Sequence, residues 1–218
     1  MKRIAVVLGL GFIVPLCGCA TTGYERASQA CSEIGKARVV TIKAHQDLVA
    51  AVSAVQTLTA METTALQPPY QSFATAVKGL EAQVQELAPC GEAIQNRGNA
   101  YLAAWQEDLG AFRSPDIRTR SAQRRLEVAE SFRKLNSEFL AAEGSLNPLM
   151  AGLKDMRLYL SIDLTASGVS SAQQQAGNIS TQAVEAGQHL NSLLGDLDRA
   201  ATELSPVKPV KEAPAPTK

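Results

Sequence analysis

This sequence predicts an all-α fold, an elongated antiparallel four-helix bundle made of coiled-coil-like helical hairpins. Three observations predict it. Four apolar seams follow one another along the chain, spaced at alternating steps of three and four residues. Ala, Gln, Ser and Leu dominate, while five Phe, four Tyr and the single Trp105 are the only aromatics. That composition is poor in the residues that strands favour. Finally, Pro and Gly cluster where one seam ends and the next begins.

The first seam is Ile34, Ala37, Thr41, Ala44, Leu48, Ala51, Val55 and Leu58. Residues spaced this way share one side of a helix, which then needs a partner. The second runs Phe73, Val77, Leu80, Val84 and Leu87, then Ile94, Tyr101, Trp105 and Phe112, with Gly91 and Gly98 at the missing steps. The third runs Val128, Phe132, Leu135, Phe139, Ala142, Leu146, Leu149, Leu153, Met156 and Leu160. The fourth is Ala176, Ile179, Ala183, Ala186, Leu190, Leu193, Leu197 and Leu204. Four seams in succession match an up-down-up-down bundle.

Punctuation sets the borders at about 23–65, 69–112, 115–165 and 170–204. Thr22 and Glu25 have capping-box spacing. Gln67-Pro68-Pro69 separates the first two helices, and Ser114-Pro115-Asp116 reads as N-cap, first position and acidic first turn. Ser167-Gly168 breaks the third helix, and Ser170 with Gln173 is a second capping-box candidate. Helices of roughly 35 to 45 residues span about 50 to 70 Å, which makes a rod. Pro89 and Pro148 lie inside helices, where a kink or split is expected. The Pro- and Lys-bearing tail, residues 205–218, has no seam and reads as a disordered extension.

Ahead of the first helix stand Lys2-Arg3, an apolar run from Ile4 to Leu16, and then Leu16-Cys17-Gly18-Cys19. A transmembrane helix needs roughly 20 apolar residues. This run is shorter and contains Pro15, and no A-x-A-like secretory site follows it. The segment resembles a bacterial lipoprotein signal: residues 1–18 are removed, Leu16, Cys17 and Gly18 form the lipobox, and Cys19 is lipidated. That resemblance implies a diacylglyceryl thioether and an acylated amino group, with fatty chains such as palmitate. Two or more chains give stable anchoring, at about 0.8 kcal/mol per buried CH₂. Ala20, in place of an aspartate, suits the periplasmic face of the outer membrane. The expected location is therefore the cell envelope, with the chain anchored to a membrane by its N-terminal lipid.

The full chain balances 21 basic against 21 acidic residues, and loss of Lys2 and Arg3 leaves an excess of two acids. No basic field of the kind that binds nucleic acid is present, and no nucleic-acid partner is expected. Arg113, Arg118, Arg120, Arg124 and Arg125 form the one dense charge cluster. It is a candidate patch for an anionic partner, lipid phosphates included. The plainer expectation is a solvated helix face with Glu127 and Glu130 as partners.

Cys31 and Cys90 are the cysteines left over after cleavage and acylation, an even pair that a disulfide would join in an oxidising compartment. A hairpin turning near residue 67 places residue 31 opposite residue 103, about 20 Å along the helix from Cys90. Bridged Cα atoms lie about 4.4 to 6.8 Å apart, so separate buried thiols are the expectation. Neither His45 nor His189 is followed by a carboxylate or a second histidine at i+3 or i+4, so no metal site or cofactor is expected. Glu107 and Asp108 read as exposed helix charges, and no phosphate loop, nucleophile elbow or Cys-x-x-Cys pair is present.

Trp105-Gln106-Glu107-Asp108-Leu109, Ile117-Arg118 with Ser121, and Pro148-Leu149 leading to Asp155 and Leu158-Tyr159-Leu160 resemble the bacterial domain-of-unknown-function family 2959. The layout is similar over most of residues 24 to 204. The resemblance implies an all-helical envelope protein and a helix that carries Pro148, and it brings no activity. The expected function is non-enzymatic: an outer-membrane lipoprotein acting as a periplasmic structural or protein-interaction bundle, with protein partners or self-association through leftover apolar surface. The alternative is a carrier of a lipid or other apolar ligand between helices, in a cavity opened by Pro148, Gly91 and Gly98.

Overall fold

The structure, a computed structural model, describes residues 22–60 and 65–206. It contains helices α1 (Gly23–Ala60), α2 (Gln67–Asp108), α3 (Pro115–Ile162), α4 (Ala166–Ser171) and α5 (Gln173–Leu204), with a 3₁₀ turn at Leu109–Ala111 closing α2. No strand occurs among the described residues. α1 packs on α2, α2 on α3, α3 on α5, and α5 back on α1. The four long helices thus form a closed, sequentially antiparallel ring. The 48 residues of α3 make the molecule about 72 Å long.

The seams are the core. Every named seam residue of α1, α3 and α5 is buried. In α2 the buried set is Phe73, Val77, Leu80, Leu87, Gly91, Ile94 and Gly98. Val84, Tyr101 and Trp105 pack half-buried against it. The glycines at the missing steps leave no empty space. A Cβ on Gly91 would lie 3.1 Å from the Phe139 ring, and one on Gly98 2.7 Å from the Phe132 ring. Two α3 phenylalanines therefore occupy the space that α2 side chains at Gly91 and Gly98 would take.

The helix borders follow local chemistry. Thr22 Oγ1 accepts from the Glu25 amide at 3.2 Å and the Glu25 carboxylate accepts from the Thr22 amide at 2.7 Å, a complete capping box. Ser114 occupies the N-cap of α3 with Pro115 first in the helix, although its hydroxyl makes no capping bond. The expected break at Ser167-Gly168 lies earlier. α3 ends at Ile162, and Thr165 caps the short α4 by accepting from the Gly168 amide at 3.1 Å. Ser170 is consequently inside α4 and caps nothing. Gly168 is required there, since a Cβ would meet the Asp163 carbonyl oxygen at 2.3 Å. α1 is described as far as Ala60, and residues 61–64, which lead to its expected border at 65, lie outside the described residues.

α2 and α3 both continue through their internal prolines. Pro89 and Pro148 are exposed, as are Gln85 and Gly144 four residues earlier, so the carbonyls that lose a partner face water. The expected tail falls mostly on residues 207–218, outside the described residues.

Candidate functional site: the projecting tip of α2 and α3

Cross-helix contacts fix how far each helix extends. On α1 and α2, Gln29 accepts from Arg97 at 2.8 Å and Asp47 lies against Gly79. On α2 and α3, Trp105 Nε1 donates to Ser121 Oγ at 2.8 Å, and Arg125 Nε donates to the Leu102 carbonyl at 3.0 Å. On α3 and α5, Lys134 pairs with Asp196 at 2.9 Å. These registers bring the start of α1 at Gly23 close to the level of residue 126 of α3, and α5, whose Ala201 lies against Cys31, ends at Leu204 no farther along. Residues 104–125 of the α2–α3 hairpin therefore continue alone past both, by about 17 Å at 1.5 Å per residue.

This projection is internally braced. Tyr101 and Trp105 stack with ring centroids 5.5 Å apart. Leu109 is buried in the 3₁₀ turn, which packs on α2 and α3. Arg26, from the first turn of α1, forms an ion pair with Asp108. The residues behind the family resemblance in this region, Trp105, Asp108, Leu109, Arg118 and Ser121, are thus a set of mutual braces in space. Asp108, expected to be an exposed helix charge, is exposed and pairs with Arg26.

The arginine cluster divides by location. Arg124 bonds Glu127 at 3.1 Å and the Glu203 carbonyl at 2.9 Å, so it caps the last turn of α5. Arg125 is held on the Leu102 carbonyl, and Arg118 donates to the Phe112 carbonyl at 2.6 Å. Glu130, the other expected partner, pairs with Arg133. Arg113 and Arg120 are exposed and have no ion-pair or hydrogen-bond partner among the described residues. Ile117 between them is 54% exposed and Phe112 is half-buried. The cluster read from sequence is therefore three structural caps and two free cations. Linear spacing could not separate these, because the carbonyls that hold Arg124 and Arg125 belong to other helices.

Leu16, Cys17, Gly18 and Cys19 lie outside the described residues. Cys31 and Cys90 are free and half-buried. The α1–α2 register puts residue 31 opposite about residue 95, not 103. Cys90 remains about 8 Å away along the axis, beyond the helix spacing itself. The Cys31 thiol faces α5, 3.8 Å from the Ala201 carbonyl. Burial raises the pKa of both thiols, with Glu86 and Glu33 adding to it at Cys90, so both stay protonated near neutrality.

His45 and His189 are half-buried on α1 and α5. Among the described residues no group of three or more His, Cys, Asp or Glu side chains is placed to hold a metal ion, and no helix is long and apolar enough to cross a membrane. An open groove of about 450 Å³ lies between α1 and α5, walled by Leu48, Val52, Ala183 and Gly187, with His45 and Asn191 on its lining. Val49 and Val184, 56% and 63% exposed, also line it. It lies apart from Gly91, Gly98 and Pro148, where a ligand cavity was expected.

A family model described as a protein of unknown function, DUF2959, matches residues 18–205. No curated protein matches the chain.

Proposed function

The chain belongs to the DUF2959 family of proteins of unknown function, and we propose that it is a non-enzymatic lipoprotein that holds a helical rod upright on a membrane facing the periplasm. Cys19 carries the lipid, and the bundle presents its polar flanks to protein partners or to a second copy. The observation that supports this reading most is the spacing between anchor and rod. The capping box that opens α1 begins at Thr22, three residues after Cys19. Three residues reach at most about 10 Å, so a lipid on Cys19 would hold the bundle by one end with almost no slack. The leaflet is assigned from Ala20, which favours the outer membrane.

Blocking lipoprotein signal peptidase in cells tests the reading. The expected result is accumulation of a precursor larger by residues 1–18. An unchanged size and unchanged membrane retention would contradict it.

A second reading, an apolar-ligand carrier, draws on the groove between α1 and α5, where Ala183 and Gly187 leave room for about 450 Å³ beside Leu48 and Val52. Native mass spectrometry of protein extracted from membranes distinguishes it. Non-covalently retained lipid that Gly187→Leu displaces favours a carrier, and a chain with no lipid beyond that on Cys19 favours the rod alone.

A further inference from the structure

We infer that the α2–α3 tip is a second, non-covalent membrane contact, which seats Phe112 and Ile117 among the headgroups and Arg113 and Arg120 on the phosphates of anionic phospholipids in the leaflet that holds Cys19. The inference rests on the proposed anchoring, and three independent features carry it.

The first is reach. The tip extends about 17 Å past the start of α1, whereas the chain from Thr22 back to Cys19 spans at most about 10 Å. A bundle held by Cys19 therefore brings residues 109–120 to the level of the anchor or past it. An upright rod cannot keep them out of the interface.

The second is chemistry. Residues 109–120 carry Arg113, Arg118 and Arg120 against the single acid Asp116. Asp108, just behind them, is neutralised by Arg26, which leaves Glu107 as the other nearby acid without an ion pair. Arg113 and Arg120 have no partner among the described residues, and Ile117 is 54% exposed. An apolar side chain flanked by arginines is the pattern of a surface that lies in the headgroup layer: the apolar group enters the acyl boundary, and the guanidinium bonds phosphate oxygens bidentately.

The third is placement against the local field. Arg118 sits at the end of the first turn of α3, where the helix dipole favours anions, and Arg120 follows it in the second turn. Arg118 is accommodated by the Phe112 carbonyl. Nothing within the described residues accommodates Arg120, and a layer of phosphates does.

The test uses the mature-length chain with Cys19→Ser, so that binding does not depend on acylation. Vesicles of phosphatidylcholine alone are compared with vesicles containing about one third phosphatidylglycerol. The expected result is binding to the anionic vesicles only, weakened roughly tenfold or more by Arg113→Glu with Arg120→Glu and unchanged by Lys78→Glu in mid-bundle, since each basic residue near an anionic surface contributes about a fivefold factor. In a second arm, the indole introduced by Ile117→Trp shifts its emission to the blue on the same vesicles and is quenched by brominated lipid, with the Ile117 parent chain supplying the Trp105 background. No binding above the neutral vesicles, an equal loss with Lys78→Glu, or no blue shift of the Ile117→Trp variant beyond that background would each overturn the inference. Its failure is separable from failure of the anchoring reading. The intact mass of residue 19 in the natural chain reports on the anchor alone, whereas the vesicle assay reports on the tip alone.

Discussion

Gly98 and Gly144 show why a glycine count says little until each is placed. Gly98 faces the Phe132 ring, and an added Cβ would sit 2.7 Å from it. Gly98→Ala should lower stability by about 1 to 2 kcal/mol, overpacking outweighing the better helix propensity of alanine. Gly144 is exposed in the middle of α3 with nothing within 4 Å of an added Cβ, so Gly144→Ala should raise stability by about 0.5 to 1 kcal/mol. Urea melts of the two variants with opposite shifts in midpoint check both. The seam pattern marked Gly91 and Gly98 as gaps, but it did not reveal that Phe139 and Phe132 fill them, because that depends on the α2–α3 register. Glu143 gives a pH signature. Burial first, and the Glu92 carboxylate second, raise its pKa above the usual glutamate value. The protonated form is favoured in the fold, so this contribution is fully present below the unfolded-state pKa and is lost as pH rises through the higher folded one. Glu143→Gln should flatten the decline in stability above about pH 4.5 and leave the acid limb unchanged, as melting curves across pH would show.

At the scale of elements, the seams locate all four long helices, since a period of three and four is set by the helix itself. Borders were less legible where they depend on packing or competing caps. Thr22 and Glu25 are a local pair and act as one. Thr165, not Ser170, caps the segment after α3, because the chain must turn directly after Ile162 and only Thr165 presents its hydroxyl to the Gly168 amide. The cysteine pair depends on the same register question. Cys31 points to α5 and Cys90 lies beside Glu33 of α1, so neither thiol can meet the other without a slip of α1 along α2. Non-reducing electrophoresis of the mature protein should show no mobility change on adding reductant. A faster oxidised band would mean that the register of the first hairpin is different. The tip is the element that sequence reading missed. Arg113, Arg118 and Arg120 were visible as a cluster, but their projection past α1 and α5 follows from cross-helix contacts such as Trp105–Ser121 and Gln29–Arg97.

For the whole molecule, four helices in a single antiparallel ring give length without thickness. A compact domain of this size has a radius of gyration of about 17 Å, whereas a rod of α3's length gives about 22 Å. Small-angle scattering of the lipid-free chain should return the larger value, and the smaller one would mean that the bundle folds back on itself. One end of this rod combines the start of α1, the end of α5 and the projecting tip, and it is the end from which the N-terminal segment leaves. Anchoring there directs α4 and the start of α2 away from the bilayer by about 70 Å. In the proposed arrangement residue 19 is the covalent link between rod and membrane. Intact mass spectrometry of the protein purified from membranes tests it most directly. The expected product begins at Cys19 and carries a diacylglyceryl group and an N-linked acyl chain. A bare Cys19, or a chain that still carries Met1 to Gly18, would contradict it.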